Sequence, residues 1–214
     1  MSKKYKNFLF DADGTLFDTS ELICKCFQNT AGHFKNIELR KEDVLRHIGM
    51  TLRDQMNHHF GLLDDVQFEL YREFHMNYQK LIYPDYLRIF DGVEQTLAAL
   101  KKCGKSCAVV TSRTRPTLEL YLKETGIMHY FDVLVTPEMT QKHKPDPEPA
   151  LKAVELLQDD PSSSLFIGDA LFDMECGVRA GMDTAFVSWS RINPESLGMK
   201  PVYLINRPEE LLNF

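Results

Sequence analysis

The stretch Asn7-Phe8-Leu9-Phe10, followed at once by Asp11-Ala12-Asp13-Gly14-Thr15-Leu16-Phe17-Asp18, decides how the chain is read. The first four residues are a short run dominated by large apolar side chains, the pattern of a buried strand. The Asp-Gly turn just behind them stops it. Two carboxylates one residue apart at a strand end repel each other unless a cation lies close by. Hard oxygen donors of this kind suit Mg²⁺, which takes one or two carboxylates and keeps several waters. Alone, an Asp-x-Asp-Gly string favours the reading of an ordinary acidic turn. Its place directly behind a buried strand points instead to chemistry.

The same punctuation recurs downstream. Short apolar runs at 106–110, 133–135, 165–167, 184–187 and 201–205 read as strands. Thr111-Ser112, Thr136-Pro137, Gly168-Asp169 and Ser188 close the first four of these. Helical patterns occupy 93–103, 116–124, 147–158 and 171–180. Strands alternating with helices predict an α/β fold, a doubly wound parallel sheet covered on both faces. Ligands of such sheets bind beyond the carboxyl ends of the strands, so the polar residues just named are expected on one edge.

One interval breaks the alternation. Between about Thr19 and Pro84 no strand pattern occurs, and Tyr71, Phe74, His75, Tyr78, Leu81 and Ile82 recur at helical spacing. The interval is too long for an ordinary crossover. It predicts a helical domain over 19–86 inserted into a core made of 1–18 and 87–214. Its hinges are expected near 16–20 and 83–92, where Pro84, Asp91 and Gly92 supply loop chemistry.

With 214 residues, 43% of them hydrophobic and 26% charged, the chain can bury a core without disulfide support. A net charge of −6 disfavours a nucleic-acid partner, which demands clustered Lys and Arg. It is compatible with a small phosphorylated metabolite held locally beside a metal. Cys24, Cys26, Cys103, Cys107 and Cys176 form no paired CxxC motifs and read as reduced thiols. The apolar run at 8–10 is too short for a signal peptide or membrane span. A cytoplasmic protein without a membrane partner is expected. The sequence carries no signal of oligomeric state.

The Asp11–Asp18 string is similar to the first motif of the haloacid dehalogenase superfamily, and three further motifs follow in that family's order. Val109-Val110-Thr111-Ser112 resembles the second, Lys144-Pro145-Asp146-Pro147 the third, and Ile167-Gly168-Asp169-Ala170-Leu171-Phe172-Asp173 the fourth. Asp91-Gly92-Val93 and Ala180-Gly181-Met182 are similar to the family's punctuation, and the likeness spans essentially the whole chain. It implies a Rossmann-like core and, over 19–86, a helical cap of the family's first cap class, in the branch of phosphoglycolate phosphatase-like and pyrophosphatase-like enzymes.

By that resemblance Asp11 is a nucleophile that becomes phosphorylated, and Asp13 is the acid and base. Mg²⁺ is held by Asp11, Asp169 and the backbone carbonyl of Asp13. Thr111, supported by Ser112, holds a phosphoryl oxygen, and Lys144 faces the phosphate. Asp173 serves either the metal's water shell or the orientation of Lys144. The residues themselves fit these roles. Pro145 biases Lys144 toward extended backbone, and Asp146-Pro147 reads as an N-cap and first helical residue. Asp169 and Asp173, four apart, share a face at a helix start.

Arg53, within His47-Ile48-Gly49-Met50-Thr51-Leu52-Arg53, and Arg113 are the candidate substrate contacts. His58-His59 invites a metal reading, but adjacent helical histidines point in different directions and are not expected to be ligands. The implied activity is a Mg²⁺-dependent phosphoric monoester hydrolase acting on a small phosphate, phosphoglycolate-like or pyrophosphate. Asp13 disfavours a true dehalogenase, and Thr15 disfavours a β-phosphoglucomutase-like phosphotransferase. Retention of Asp11, Asp13, Thr111, Lys144 and Asp169 together disfavours a non-enzymatic regulatory relative.

Overall fold

The protein is described by a computed structural model covering residues 4–190 and 200–214. Strand β1 (Asn7–Phe10) is buried along its whole length. It lies inside one parallel sheet with β2 (Ser106–Val110), β3 (Val133–Val135), β4 (Ser164–Gly168), β5 (Asp183–Val187) and β6 (Tyr203–Ile205). The spatial order is β3-β2-β1-β4-β5-β6. The chain winds outward from β1 on one side, then returns to wind outward on the other, so the switch point lies between β1 and β4. Every strand expected from the sequence is present, with ends shifted by two residues at most.

Alternate side chains of the strands go to opposite faces. Phe8, Phe10, Val109, Leu165 and Ile167 pack with Leu97 and Leu100 of α5 (Val93–Lys102) and Leu118 and Leu122 of α6 (Arg115–Glu124). Leu9, Ala108, Val110 and Phe166 face the other way, against Ala150, Ala153 and Val154 of α7 (Glu148–Leu157) and Cys176 of α8 (Leu171–Arg179). Both faces being dry explains why β1 and β2 read as unbroken apolar runs.

The 19–86 interval contains no named strand. It folds as α1 (Ser20–Lys35), α2 (Lys41–Leu45), α3 (Leu52–Phe60) and α4 (Asp65–Tyr86). These helices bury Phe27, Met56, Phe60, Phe68 and Tyr71 in a cluster of their own. Thr51 caps α3 by accepting from Asp54 N–H, and Asp64 and Gln67 close a reciprocal capping box on α4. The two connections to the sheet run side by side. Asp18 N–H donates to Arg88 O at 2.9 Å and Phe90 N–H to Leu16 O at 3.1 Å.

Two expectations within α4 need correction. Pro84 is not loop: α4 continues past it to Tyr86, and Leu87 N–H donates to Tyr83 O. Proline costs the helix one backbone donor here, and the helix ends within three residues. Leu81 is not on the packed stripe but 74% exposed. The buried face runs through Phe68, Tyr71, His75 and Gln79 instead, at spacings of three and four. His75 and Gln79 are polar where this face lines a cleft, while Tyr78, Ile82, Tyr83 and Tyr86 of the same helix pack on the core beside the sheet.

Candidate active site

The strand register delivers the four motifs to one place. Phe10 is level with Val109 on β2 and Ile167 on β4, so Asp11, Thr111 and Asp169 leave the same sheet edge. Asp11 N–H extends the ladder by donating to Ile167 O at 2.8 Å. Lys144 comes from the loop before α7, across a cis peptide bond to Pro145. Asp146 Oδ1 accepts from Glu148 N–H at 3.0 Å, but the N-cap of α7 is Pro147 and not Asp146, because the helix begins one residue later than the sequence suggests.

Lys144 is the hub of the site. Its buried ammonium donates to Asp11 Oδ1 at 2.5 Å and to Asp173 Oδ1 at 2.6 Å. Asp173 Oδ2 in turn accepts from Ala170 N–H at 3.0 Å at the start of α8. With both oxygens engaged, Asp173 orients the lysine. Burial alone opposes the Lys144 charge, but Asp11 and Asp173 more than offset it and hold its pKa above the usual lysine range.

The acids feel the opposite balance. Burial pushes Asp11 up to about 7, with Asp173 and Asp13 acting in the same direction and Lys144 opposing. Burial also raises Asp169 well above the ordinary range, followed by the charges of Asp11 and Asp173. Asp169 Oδ1 is buried and accepts no hydrogen bond. Oxygens of Asp11, Asp169 and Asp173 lie within 4.8 Å of one another, so three carboxylates face one ammonium. That imbalance, with one oxygen left unpaired, fits a hard divalent cation. Gly14 makes the arrangement possible. A Cβ there would sit 2.1 Å from Asp169 Oδ2, and its φ of +88° is one that glycine adopts without strain.

Asp13 is engaged differently from the other acids. Arg113 grips it in a fork, Nε to Oδ2 at 2.9 Å and a terminal nitrogen to Oδ1 at 2.6 Å, and Thr19 Oγ1 donates to Oδ1 at 2.5 Å. The Arg113 side chain is 7% exposed and lies over the Tyr121 ring at 4.3 Å. The Asp13 carboxylate is not among the three that cluster, those of Asp11, Asp169 and Asp173. Thr111 is buried beside it, its Oγ1 accepting from Arg113 N–H at 3.1 Å.

A cleft of about 80 Å³ opens above Asp11, Asp13, Thr111, Ser112 and Arg113, between the sheet edge and the helices. Ser112 Oγ donates to Gly49 O at 2.6 Å and ties the two sides together. Arg53 does not line this cleft. Leu52 and Gln55 do, and Arg53, about 100° round the helix from Leu52, pairs with Asp65 at 3.0 Å and lies over Phe68. The sequence missed Thr19, Gln55, His75 and Gln79. Their signal was polarity on an otherwise apolar stripe, His75 and Gln79 standing one turn apart on the buried face of α4.

A family profile described as haloacid dehalogenase-like hydrolase matches residues 8–187. The pyrophosphatase PpaX of Bacillus velezensis is 35% identical over 212 residues, covering 99% of this chain and 96% of that one. Among solved structures, a candidate haloacid dehalogenase-like hydrolase from Bacteroides fragilis superposes with a TM-score of 0.90 at 27% identity, covering 97% of this chain and all of that one. A predicted phosphoglycolate phosphatase from Haemophilus somnus shares the fold, with a TM-score of 0.86 at 21% identity over 100% and 99% of the two chains.

Proposed function

The chain belongs to the haloacid dehalogenase-like hydrolase family, and from that premise we propose that it is a Mg²⁺-dependent phosphatase acting through an aspartyl-phosphate on Asp11. The observation that carries this is the placement of Lys144 between Asp11 and Asp173, beside the unpaired oxygen of Asp169. Asp11, Asp169 and the Asp13 carbonyl would hold the Mg²⁺. When bound, it supplies positive charge to the phosphoryl oxygens and draws the pKa of the buried acids down.

Lys144 holds one Asp11 oxygen, which orients the other toward phosphorus. Asp11 attacks in line, the bond from phosphorus to the leaving oxygen breaks, and its electron pair stays on that oxygen. Asp13 gives that oxygen a proton and later takes one from the water that attacks the phospho-Asp11 phosphorus, releasing phosphate and restoring Asp11. Thr111 Oγ1 and the N–H that follows it steady a phosphoryl oxygen. For Asp13 to act, Arg113 has to release it. A second anionic group on the substrate gives Arg113 a new partner and frees Asp13 in the same movement. Arg113 is the one cation among the described residues lining the cleft. Substrates with two acidic ends, such as pyrophosphate or phosphoglycolate, fit that exchange. The likeness to the PpaX pyrophosphatases supports the first of these.

The test is a phosphate-release screen with Mg²⁺ or with chelator, spanning pyrophosphate, phosphoglycolate, sugar phosphates and an aryl phosphate. Chelator-sensitive release, highest for a substrate carrying a second anion, is expected. Equal rates with and without chelator would overturn the reading.

A further inference from the structure

A second group of metal-binding side chains lies away from the carboxylates. His47 follows α2, while His58 and His59 lie in the last turn of α3. The rings of His58 and His59 stand at 87° to each other, as neighbouring helical positions diverge, and the His47 ring centroid is 3.6 Å from one and 5.2 Å from the other. One ring nitrogen from each of the three lies within 4.8 Å of the other two. The loop supplies what the helix alone lacks, a third donor reaching both.

We propose that His47, His58 and His59 form a binding site for a transition-metal ion of the Zn²⁺ class, separate from the Mg²⁺ site. His47 Nδ1 lies 2.8 Å from Asp43 O. A carbonyl only accepts, so Nδ1 carries the proton and Nε2 keeps a lone pair. A ligand histidine held by its other N–H on a backbone carbonyl is the usual outer-shell arrangement. His59 Nε2 is buried without a hydrogen-bond partner, an arrangement that costs stability unless something fills it. Burial, then the neighbouring histidines, brings His59 down to about 4, and burial holds His47 below its ordinary value. Both rings are therefore neutral at pH 7, the form that ligates.

Zn–N bonds of about 2.0–2.1 Å place tetrahedral ligands about 3.3 Å apart. His58 is exposed, so its ring is the one that would turn to bring the three nitrogens to that spacing. Three imidazoles select Zn²⁺, Ni²⁺ or Cu²⁺ over Mg²⁺, with water completing the shell. The consequence reaches the cleft. His47 stands two residues before Gly49, whose carbonyl accepts from Ser112, so an ion here fastens the loop over the cleft to α3.

The test titrates Zn²⁺ into the full chain by calorimetry under saturating Mg²⁺, in a Cys103→Ser background that removes an exposed thiol. One Zn²⁺ per chain is expected. His58→Gln, at an exposed position that leaves folding intact, and His47→Gln should each weaken it at least tenfold, while Asp169→Asn leaves it unchanged. Visible absorption of bound Co²⁺ should be lost in the same two histidine variants. Absence of Zn²⁺ binding, binding indifferent to both histidine variants, or binding abolished by Asp169→Asn would each overturn the proposal.

Discussion

Replacing Asp169 by asparagine should stabilise the protein in chelator and abolish its stabilisation by Mg²⁺. The substitution keeps the shape of the side chain but removes one charge from a cluster in which Asp11, Asp169 and Asp173 share a single ammonium. Asp169 is 3% exposed, and its Oδ1 has no donor. Asparagine still buries a polar atom here but carries no charge to be neutralised on folding. Each unit by which burial raises the Asp169 pKa costs wild type about 1.4 kcal/mol, and the variant escapes that cost in chelator. For a chain of this size each kcal/mol moves Tm by about 2–4 °C. With Mg²⁺ at a hundredfold its Kd, wild type gains about 2.7 kcal/mol through binding and the variant little. The stability difference between the two proteins should then shift toward wild type by about 2.7 kcal/mol. The assay is thermal unfolding of both in EDTA and across a Mg²⁺ series. An Asp169→Asn protein less stable than wild type in EDTA, or equally stabilised by Mg²⁺, would refute the reasoning.

Gly14→Ala should weaken Mg²⁺ affinity roughly 10–100-fold, as displacement of a metal ligand's support does, because its Cβ would meet Asp169 Oδ2 at 2.1 Å; a Mg²⁺ titration of stability or activity reads this. Acidification should unfold the helical unit through His75, which is fully enclosed, lies 3.1 Å from Thr30 Oγ1 and is pushed down to about 3 by burial, then by Arg113. Above the ordinary histidine pKa of about 6.5 it costs nothing. Below that the unfolded chain takes a proton the folded one refuses, so stability falls by about 1.4 kcal/mol per pH unit toward pH 3. Denaturant melts at stepped pH should flatten in His75→Gln. Met56→Ala, at a position with no exposure in the α1–α4 cluster, should cost about 2–5 kcal/mol. Hydrogen exchange should show the loss concentrated in α1–α4.

The sheet was readable because both its faces are dry: β1, β2 and β4 had to be short apolar runs, and the polar residue ending each had to lie on one edge. Lys144 was readable from its motif, but whether Asp173 serves it or the metal's water shell was left open, since their contact depends on the packing of α8 beside α7. Arg113 was expected to meet an anion and does, but the anion is Asp13 of the same chain. Arg53 shows where spacing fails. Its neighbours Leu52 and Gln55 line the cleft, and only the helical phase of α3 turns it away toward Asp65. The polar lining of the cleft by His75 and Gln79 was hidden because a period of three and four residues marks a buried face without saying what it is buried against.

The proposal that Asp11 is the nucleophile is tested most directly by borohydride quenching of the protein during turnover with Mg²⁺, followed by peptide mass spectrometry. An acyl phosphate on Asp11 should be reduced to the homoserine side chain at that position alone, and Asp11→Asn should show neither the modification nor turnover. Modification at another residue, or continued phosphate release by Asp11→Asn, would contradict it.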